Sequence, residues 1–172
     1  MNILVCIKQV PDTTEIKIDP VKHTLIREGV PSIVNPFDAC ALEMAVRLKE
    51  KEGGKVIVIS MGPAQAKNAL KECLAVGADQ AFLVTDRAFG GSDTLATSYI
   101  LSRAIAAVEA KTGEKFDLIF CGKQAIDGDT AQVGPEIAEH MDLPHVTLAT
   151  AVEMADGKLH VTRDTDEGHD LV

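Results

Sequence analysis

Two glycine-punctuated polar stretches hold the residues of this 172-residue chain best suited to chemistry, and each sits between an apolar run and an amphipathic one. The longer reads Gly122, Lys123, Gln124, Ala125, Ile126, Asp127, Gly128, Asp129, Thr130, Ala131, Gln132, Val133. Its glycines let the backbone approach a ligand closely, and the unpaired N–H groups of the helix that follows can hold a phosphate. Thr130 can add a hydroxyl. Asp127 and Asp129 would repel a phosphate, so they are expected to accept from a ribose or from backbone N–H groups. The competing reading is a capped helix start built on Asx turns. A calcium loop is weaker, because no bidentate Glu follows the Asp-Gly-Asp at the required distance. The second stretch, Phe89, Gly90, Gly91, Ser92, Asp93, Thr94, has the form of a phosphate nest opening a helix.

What is missing narrows the chemistry further. There is no G-x-G-x-x-G fingerprint, which argues against an ordinary NAD site. There is no G-x-S-x-G elbow either, and no side-chain set pairs a nucleophile with a base. No residue is therefore assigned as catalytic. The five histidines, at 23, 140, 145, 160 and 169, lack metal-ligand spacing. The four cysteines, at 6, 40, 73 and 121, contain no C-x-x-C and read as reduced, buried, cytosolic thiols. The site reads as built to hold a nucleotide rather than to cleave one.

The elements that must position these stretches follow from hydrophobic periodicity. Residues 2–7 form a short unbroken apolar run, as expected of a buried parallel strand. Residues 15–19 and 24–27 alternate and suggest a hairpin excursion. Asn35, Pro36 and Asp38 open a helix as N-cap, first-turn proline and first-turn acid, and Gly53-Gly54 closes it. The pattern then recurs. Strands are expected at residues 55–61, 81–84, 118–121 and 145–148. Helices are expected after Gly62-Pro63, after the Ser92-Asp93-Thr94 cap and over residues 130–141. Ala155-Asp156-Gly157 marks a second hairpin. Strands alternating with helices mean βαβ units and an α/β, doubly wound, mostly parallel sheet over residues 1–172 as a single domain. In such sheets ligands bind beyond the carboxyl ends of the strands, at the topological switch point. The polar stretches fall there, together with the segment from Cys6 and the one from Met61.

Composition excludes several function classes. Seventeen basic against 26 acidic residues give a net charge of −9, which argues against nucleic acid and against an acidic membrane surface. With five Phe, one Tyr and no Trp, no aromatic stacking platform can be built. No apolar stretch approaches the roughly 18 residues needed to span a bilayer, and the start is too short for a signal peptide. A cytoplasmic protein without membrane insertion is expected. Residues 153–170 are strongly acidic and read as a solvated edge hairpin.

Longer stretches carry a resemblance. Residues 5–12 (VCIKQVPD), Asn35-Pro36-Phe37-Asp38, residues 45–49 (AVRLK), residues 61–65 (MGPAQ) and residues 122–127 (GKQAID) occur in this order. Together the chain resembles the β subunit of electron-transfer flavoprotein over essentially its whole length. The resemblance implies an adenine-nucleotide α-hydrolase-like, Rossmann-like fold and a heterodimer with an α subunit that carries its own FAD. It places nucleotide contacts on Cys6, on Asn35, Pro36, Phe37 and Asp38, on Met61, and on residues 122–133. The β site of the family holds structural AMP or, in electron-bifurcating members, a second FAD. The stretches continuing from Gly128 through Pro135, and from Asp86 through Ser98, are similar to the bifurcating type. They add Ser92, Asp93, Thr94 and Thr97 to the expected contacts, because a second N–H-rich helix start could hold the extra phosphate of FAD. That reading implies NADH as hydride donor, with electrons passing to an acyl-CoA dehydrogenase-type partner and to ferredoxin or flavodoxin. The alternatives are a conventional β subunit with AMP and a stand-alone nucleotide-binding stress-type domain. The Gly90-Gly91-Ser92-Asp93-Thr94 stretch also resembles the ATP-pyrophosphatase loop, but Phe89 replaces its leading Ser and the loop follows the third strand rather than the first. Val161, Arg163, Asp166 and Gly168 are similar to the opening of the family signature. The family's C-terminal partner-recognition segment and arm would follow and are expected to be absent.

Overall fold

The computed structural model describes residues 1–12, 17–18, 25–26 and 31–172. Four strands, β1 (Asn2–Cys6), β6 (Lys55–Met61), β7 (Gln80–Val84) and β8 (Leu118–Cys121), form a wholly parallel sheet in the order β7-β6-β1-β8. Ile3, Leu4, Val5 and Val56, Ile57, Val58, Ile59 have no exposed surface. Such burial of each aliphatic side chain contributes about 1.5–3 kcal/mol, which is why these unbroken apolar runs settle between two helical layers.

Alternation along the strands divides the core. Ile3, Val5, Val56 and Val58 pack against Leu42, Ala45, Val46 and Leu48 of α1 (Pro36–Glu52) and against Leu70 and Cys73 of α2 (Lys67–Ala75). Leu4, Cys6, Ile57 and Ile59 pack on the other face against Leu101, Ile105 and Val108 of α3 (Thr94–Thr112) and Ile137 of α4 (Val133–His140). The sheet is therefore doubly wound, as the periodicity predicts. Gly113, in the left-handed conformation, closes α3 by donating to Glu109 O.

Smaller antiparallel pieces surround this core. β2 (Gln9–Pro11) pairs with β5 (Ser32–Val34). The expected hairpin excursion is represented by β3 (Lys17–Ile18) paired antiparallel with β4 (Leu25–Ile26); the rest of it lies outside the described residues. β9 (Ala149–Ala155), β10 (Lys158–Thr165) and β11 (Gly168–Leu171) form a three-stranded sheet. The β9–β10 turn has positive φ at both Asp156 and Gly157, the signature of the type I′ hairpin.

Three expectations are corrected. No fifth parallel strand forms at residues 145–148 among the described residues; Leu148 adopts φ 58°, which an extended strand does not allow, and the chain enters the antiparallel sheet instead at Ala149. The helix expected from residue 130 begins only at Val133, because Asp129 and Ala131 both have φ 55°. The helix after Gly62-Pro63 opens as a 3₁₀ turn over Ala64–Ala66 before α2.

Candidate nucleotide-binding site

From β1 the chain passes through α1 to β6 and then β7 on one side, and only after α3 does it return to β8 on the other. The switch point therefore lies between β1 and β8, where open α/β sheets bind ligands. A cavity of about 960 Å³ opens there, at the upper end of the size range of small-molecule sites. Its floor is the carboxyl ends of the strands, including Cys6, Ile59, Met61 and Cys121. Its walls include the starts of α3 and α4 and the loop joining β8 to α4.

Most of the expected contact residues line this cavity. Cys6, Asn35, Asp38, Met61, Ser92, Asp93, Thr94 and Thr97 do, as do Gly122, Lys123, Gln124, Ala125, Gly128, Asp129, Thr130, Ala131, Gln132 and Val133. Pro36, Phe37, Ile126 and Asp127 do not. Pro36 and Phe37 are taken up in the first turn of α1, and Pro36 faces outward. Asp127 turns to Lys8, whose Nζ lies 2.6 Å from Oδ1. Lys8, Asp86, Arg87, Leu101 and Cys121 line the cavity and were not among the expected contacts. The signal for Lys8, Asp86 and Cys121 was their position at or just beyond strand ends.

The loop after β8 is held by one buried side chain. Asn35, only 1 % exposed, occupies the N-cap position of α1 but makes no capping bond. Its Nδ2 instead donates to Gln124 O at 2.8 Å, and its Oδ1 accepts from Ile126 N at 3.2 Å. The carboxamide thus stands in for a peptide group and completes the loop's backbone bonding. Asn35 N in turn donates to Lys8 O, so the end of β1 and the loop after β8 are tied through one residue.

Asp38 does the same for the strand ends. Its Oδ2 accepts from Lys8 N at 2.7 Å. Burial pushes its carboxyl up to about 6, against the opposing pull of the hydrogen bonds from Lys8, Asn35 and Gly122 and of the Lys8 charge. The end of β8 passes so close to α1 that a Cβ on Gly122 would sit 2.2 Å from Asp38 Oδ1 and 2.7 Å from the Phe37 carbonyl carbon. Only glycine fits this crossing.

The two helix starts differ. At α3 the Asp93 carboxylate accepts from Ala96 N at 2.8 Å, and Thr94 Oγ1 donates to Glu136 Oε1 at 3.2 Å. That start is occupied by the chain's own acids. At α4 the N-cap Gln132 makes no side-chain bond, so the capped-helix alternative does not describe it. Asp129 and Ala131, each with φ 55°, set the path of the chain in front of it. Of the two roles expected for the loop carboxylates, neither Asp accepts from a backbone N–H: Asp129 accepts from Gln124 Nε2 at 2.8 Å, and Asp127 holds Lys8. The N–H groups of the α4 start are left for a ligand, and they suit an anion.

Among the described residues no group of His, Cys, Asp and Glu could hold a metal ion, and no helix is long and apolar enough to cross a membrane. The cysteines are all free, but Cys40 is exposed on the outer side of α1 and Cys121 only half-buried, so the expectation of buried thiols holds for Cys6 and Cys73 alone.

A family model described as electron transfer flavoprotein domain matches residues 22–171. The chain belongs to the electron transfer flavoprotein family. It is 60 % identical over 172 residues to an electron transfer flavoprotein subunit beta of Thermoanaerobacterium thermosaccharolyticum, covering all of this chain and 64 % of that protein. It is 54 % identical over 173 residues to the caffeyl-CoA reductase-Etf complex subunit CarD of Acetobacterium woodii, again covering all of this chain and 64 % of the relative. Protein FixA of Azotobacter vinelandii is 51 % identical over 175 residues, covering all of this chain and 62 % of the relative. The chain thus spans less than two thirds of the length of these electron transfer flavoprotein relatives.

Proposed function

We propose that this chain is the nucleotide-binding part of an electron transfer flavoprotein β subunit and that its cavity takes FAD. The observation that carries the reading is the cavity itself, about 960 Å³ at the β1/β8 switch point and reaching from the α4 start to the α3 start. In this reading the N–H groups at 130–133 hold the phosphates, Asn35 and Asp38 fix the loop and strand ends that shape the floor, and Ser92, Thr94 and Thr97 border the far end. When bound, the flavin would supply the redox chemistry, taking a hydride from NADH and passing single electrons onward. The protein's part is to place the flavin and exclude water around it. The proposed partners are an α subunit with its own FAD, an acyl-CoA dehydrogenase-type acceptor, and ferredoxin or flavodoxin. The proposed setting is the cytoplasm, in keeping with four free thiols. Membership of the family favours this reading over a stand-alone stress-type domain.

A second reading, structural AMP, is favoured by one observation. The α3 start already carries the Asp93 carboxylate, and Asp86 borders the same end of the cavity, so a second phosphate gains little there. A titration separates the two. FAD is added to the purified chain while flavin fluorescence is followed, and AMP is then added as competitor. The FAD reading predicts saturable quenching at one site, reversed only by AMP in large excess. AMP binding with no flavin quenching would overturn it in favour of the second reading.

A further inference from the structure

Cys6 and Cys121 occupy in-register positions on the adjacent parallel strands β1 and β8. Both side chains belong to the α3/α4 face of the sheet, and both line the cavity floor. Neighbouring strands lie about 4.8 Å apart, inside the roughly 4.4–6.8 Å Cα separation that a disulfide accepts. In-register neighbours on one face of a parallel pair project side by side, so the two thiols are adjacent on the cavity floor. Cys40 and Cys73 lie on α1 and α2 and do not line the cavity. We infer that Cys6 and Cys121 form a two-thiol redox site, open to small-molecule disulfides when the cavity is empty and closed when a nucleotide covers its floor.

The two sulfurs have unequal parts. Cys6 is 8 % exposed, and the hydrogen bond with Cys121, burial and the nearby Asp38 carboxylate keep its thiol protonated well above its ordinary range. Cys121 is the more accessible. Its thiolate attacks one sulfur of a disulfide RSSR, forming a mixed disulfide and releasing RS⁻, which takes a proton. With Cys121 held in the mixed disulfide, its hydrogen bond and charge no longer hold the Cys6 proton; Cys6 passes that proton to the departing RS⁻ as it attacks the Cys121 sulfur, releasing the second thiol. The pair gives up two electrons and two protons, and RSSR becomes two RSH.

The product would act on the ligand site. A Cβ at Gly134 would lie 3.3 Å from the Cys121 Cβ, so the first turn of α4 rests directly on this residue. Drawing Cys121 toward Cys6 disturbs the helix start assigned above to the phosphates. By linkage, whatever factor nucleotide imposes on the dithiol–disulfide equilibrium, oxidation imposes on nucleotide affinity. This gating half rests on the nucleotide reading; the crosslink itself does not.

The test uses the full chain with Cys40→Ser, which removes the exposed thiol. Oxidised glutathione is added with and without saturating FAD or AMP, remaining thiols are alkylated, and the digest is analysed by mass spectrometry. The expected result is a Cys6–Cys121 linked peptide, formed roughly tenfold less under the nucleotide that binds, with FAD affinity of the oxidised chain lowered by a similar factor and restored by dithiothreitol. Recovery of Cys6 and Cys121 both alkylated, in the absence of nucleotide, would overturn the two-thiol site. A crosslink formed equally well under a nucleotide that the fluorescence titration shows to be bound would overturn the gating. Absence of any binding in that titration would instead count against the nucleotide reading, so the two failures are told apart.

Discussion

Replacing Asp38 by Asn tests the electrostatics of the site floor. Asp38 is 7 % exposed, and its carboxyl is held at about 6 rather than 3.8. Burial raises it, and the hydrogen bonds from Lys8, Asn35 and Gly122 only partly offset that. The folded protein therefore holds a proton that the unfolded chain has already lost between these two values. The resulting stability is fully present below about pH 3.8 and is lost as pH rises through about 6. The whole interval corresponds to roughly 3 kcal/mol. A carboxamide at this position cannot ionise, so the variant lacks this slope. The substitution also places an amide NH₂ against the Lys8 or Gly122 N–H, a loss of about 1–3 kcal/mol that does not change with pH. Urea unfolding at about pH 4 and about pH 7 in both proteins isolates the pH-dependent part. The wild type should lose roughly 2–3 kcal/mol more than Asp38→Asn on going from the lower to the higher pH. Parallel profiles would refute the reasoning. A wild type that gains on the variant as pH rises would show that the hydrogen bonds outweigh burial.

Other substitutions probe the loop and its crossings. Asn35→Ala leaves Gln124 O and Ile126 N without their partner and should cost about 2–4 kcal/mol in urea unfolding, with Asn35→Asp at least as costly because its carboxylate sets an acceptor and a buried charge against Gln124 O. Gly122→Ala puts a methyl against α1 backbone and should cost about 1–3 kcal/mol or more, measured in the same way; a loss under 0.5 kcal/mol, on the order of a neutral surface change, would count against the tight crossing. At Ala131, with φ 55°, glycine removes left-handed strain and should leave thermal stability unchanged or raise it by up to about 1 kcal/mol, while valine should lower it by about 1–2 kcal/mol.

The fold was legible where local pattern and tertiary structure agree. Apolar runs became the four parallel strands, the glycines at 53 and 113 ended helices, and Asp156-Gly157 made its hairpin. Pattern failed where one backbone angle decided the outcome. Residues 145–148 read as a strand, yet Leu148 is left-handed, and α4 waits for Val133 because Asp129 and Ala131 are too. The cavity lining was largely legible because strand ends and glycine loops announce it. The roles of its side chains were not. Asn35 has the sequence of an N-cap, but its partners lie 89 and 91 residues away, beyond any local pattern. The same holds for Asp127 with Lys8, and for Cys6 with Cys121, whose pairing needs the strand order. Asp38 was readable as a first-turn acid, but its burial against Gly122 was not.

FAD in the cavity between the ends of β1 and β8 is the feature most open to direct test. The most direct measurement is cofactor content. The chain is co-expressed with an electron transfer flavoprotein α subunit, the complex is precipitated with acid, and the released nucleotides are separated by chromatography and counted per complex. FAD is expected at both the α and the β site, with no AMP. One FAD accompanied by one AMP would contradict it.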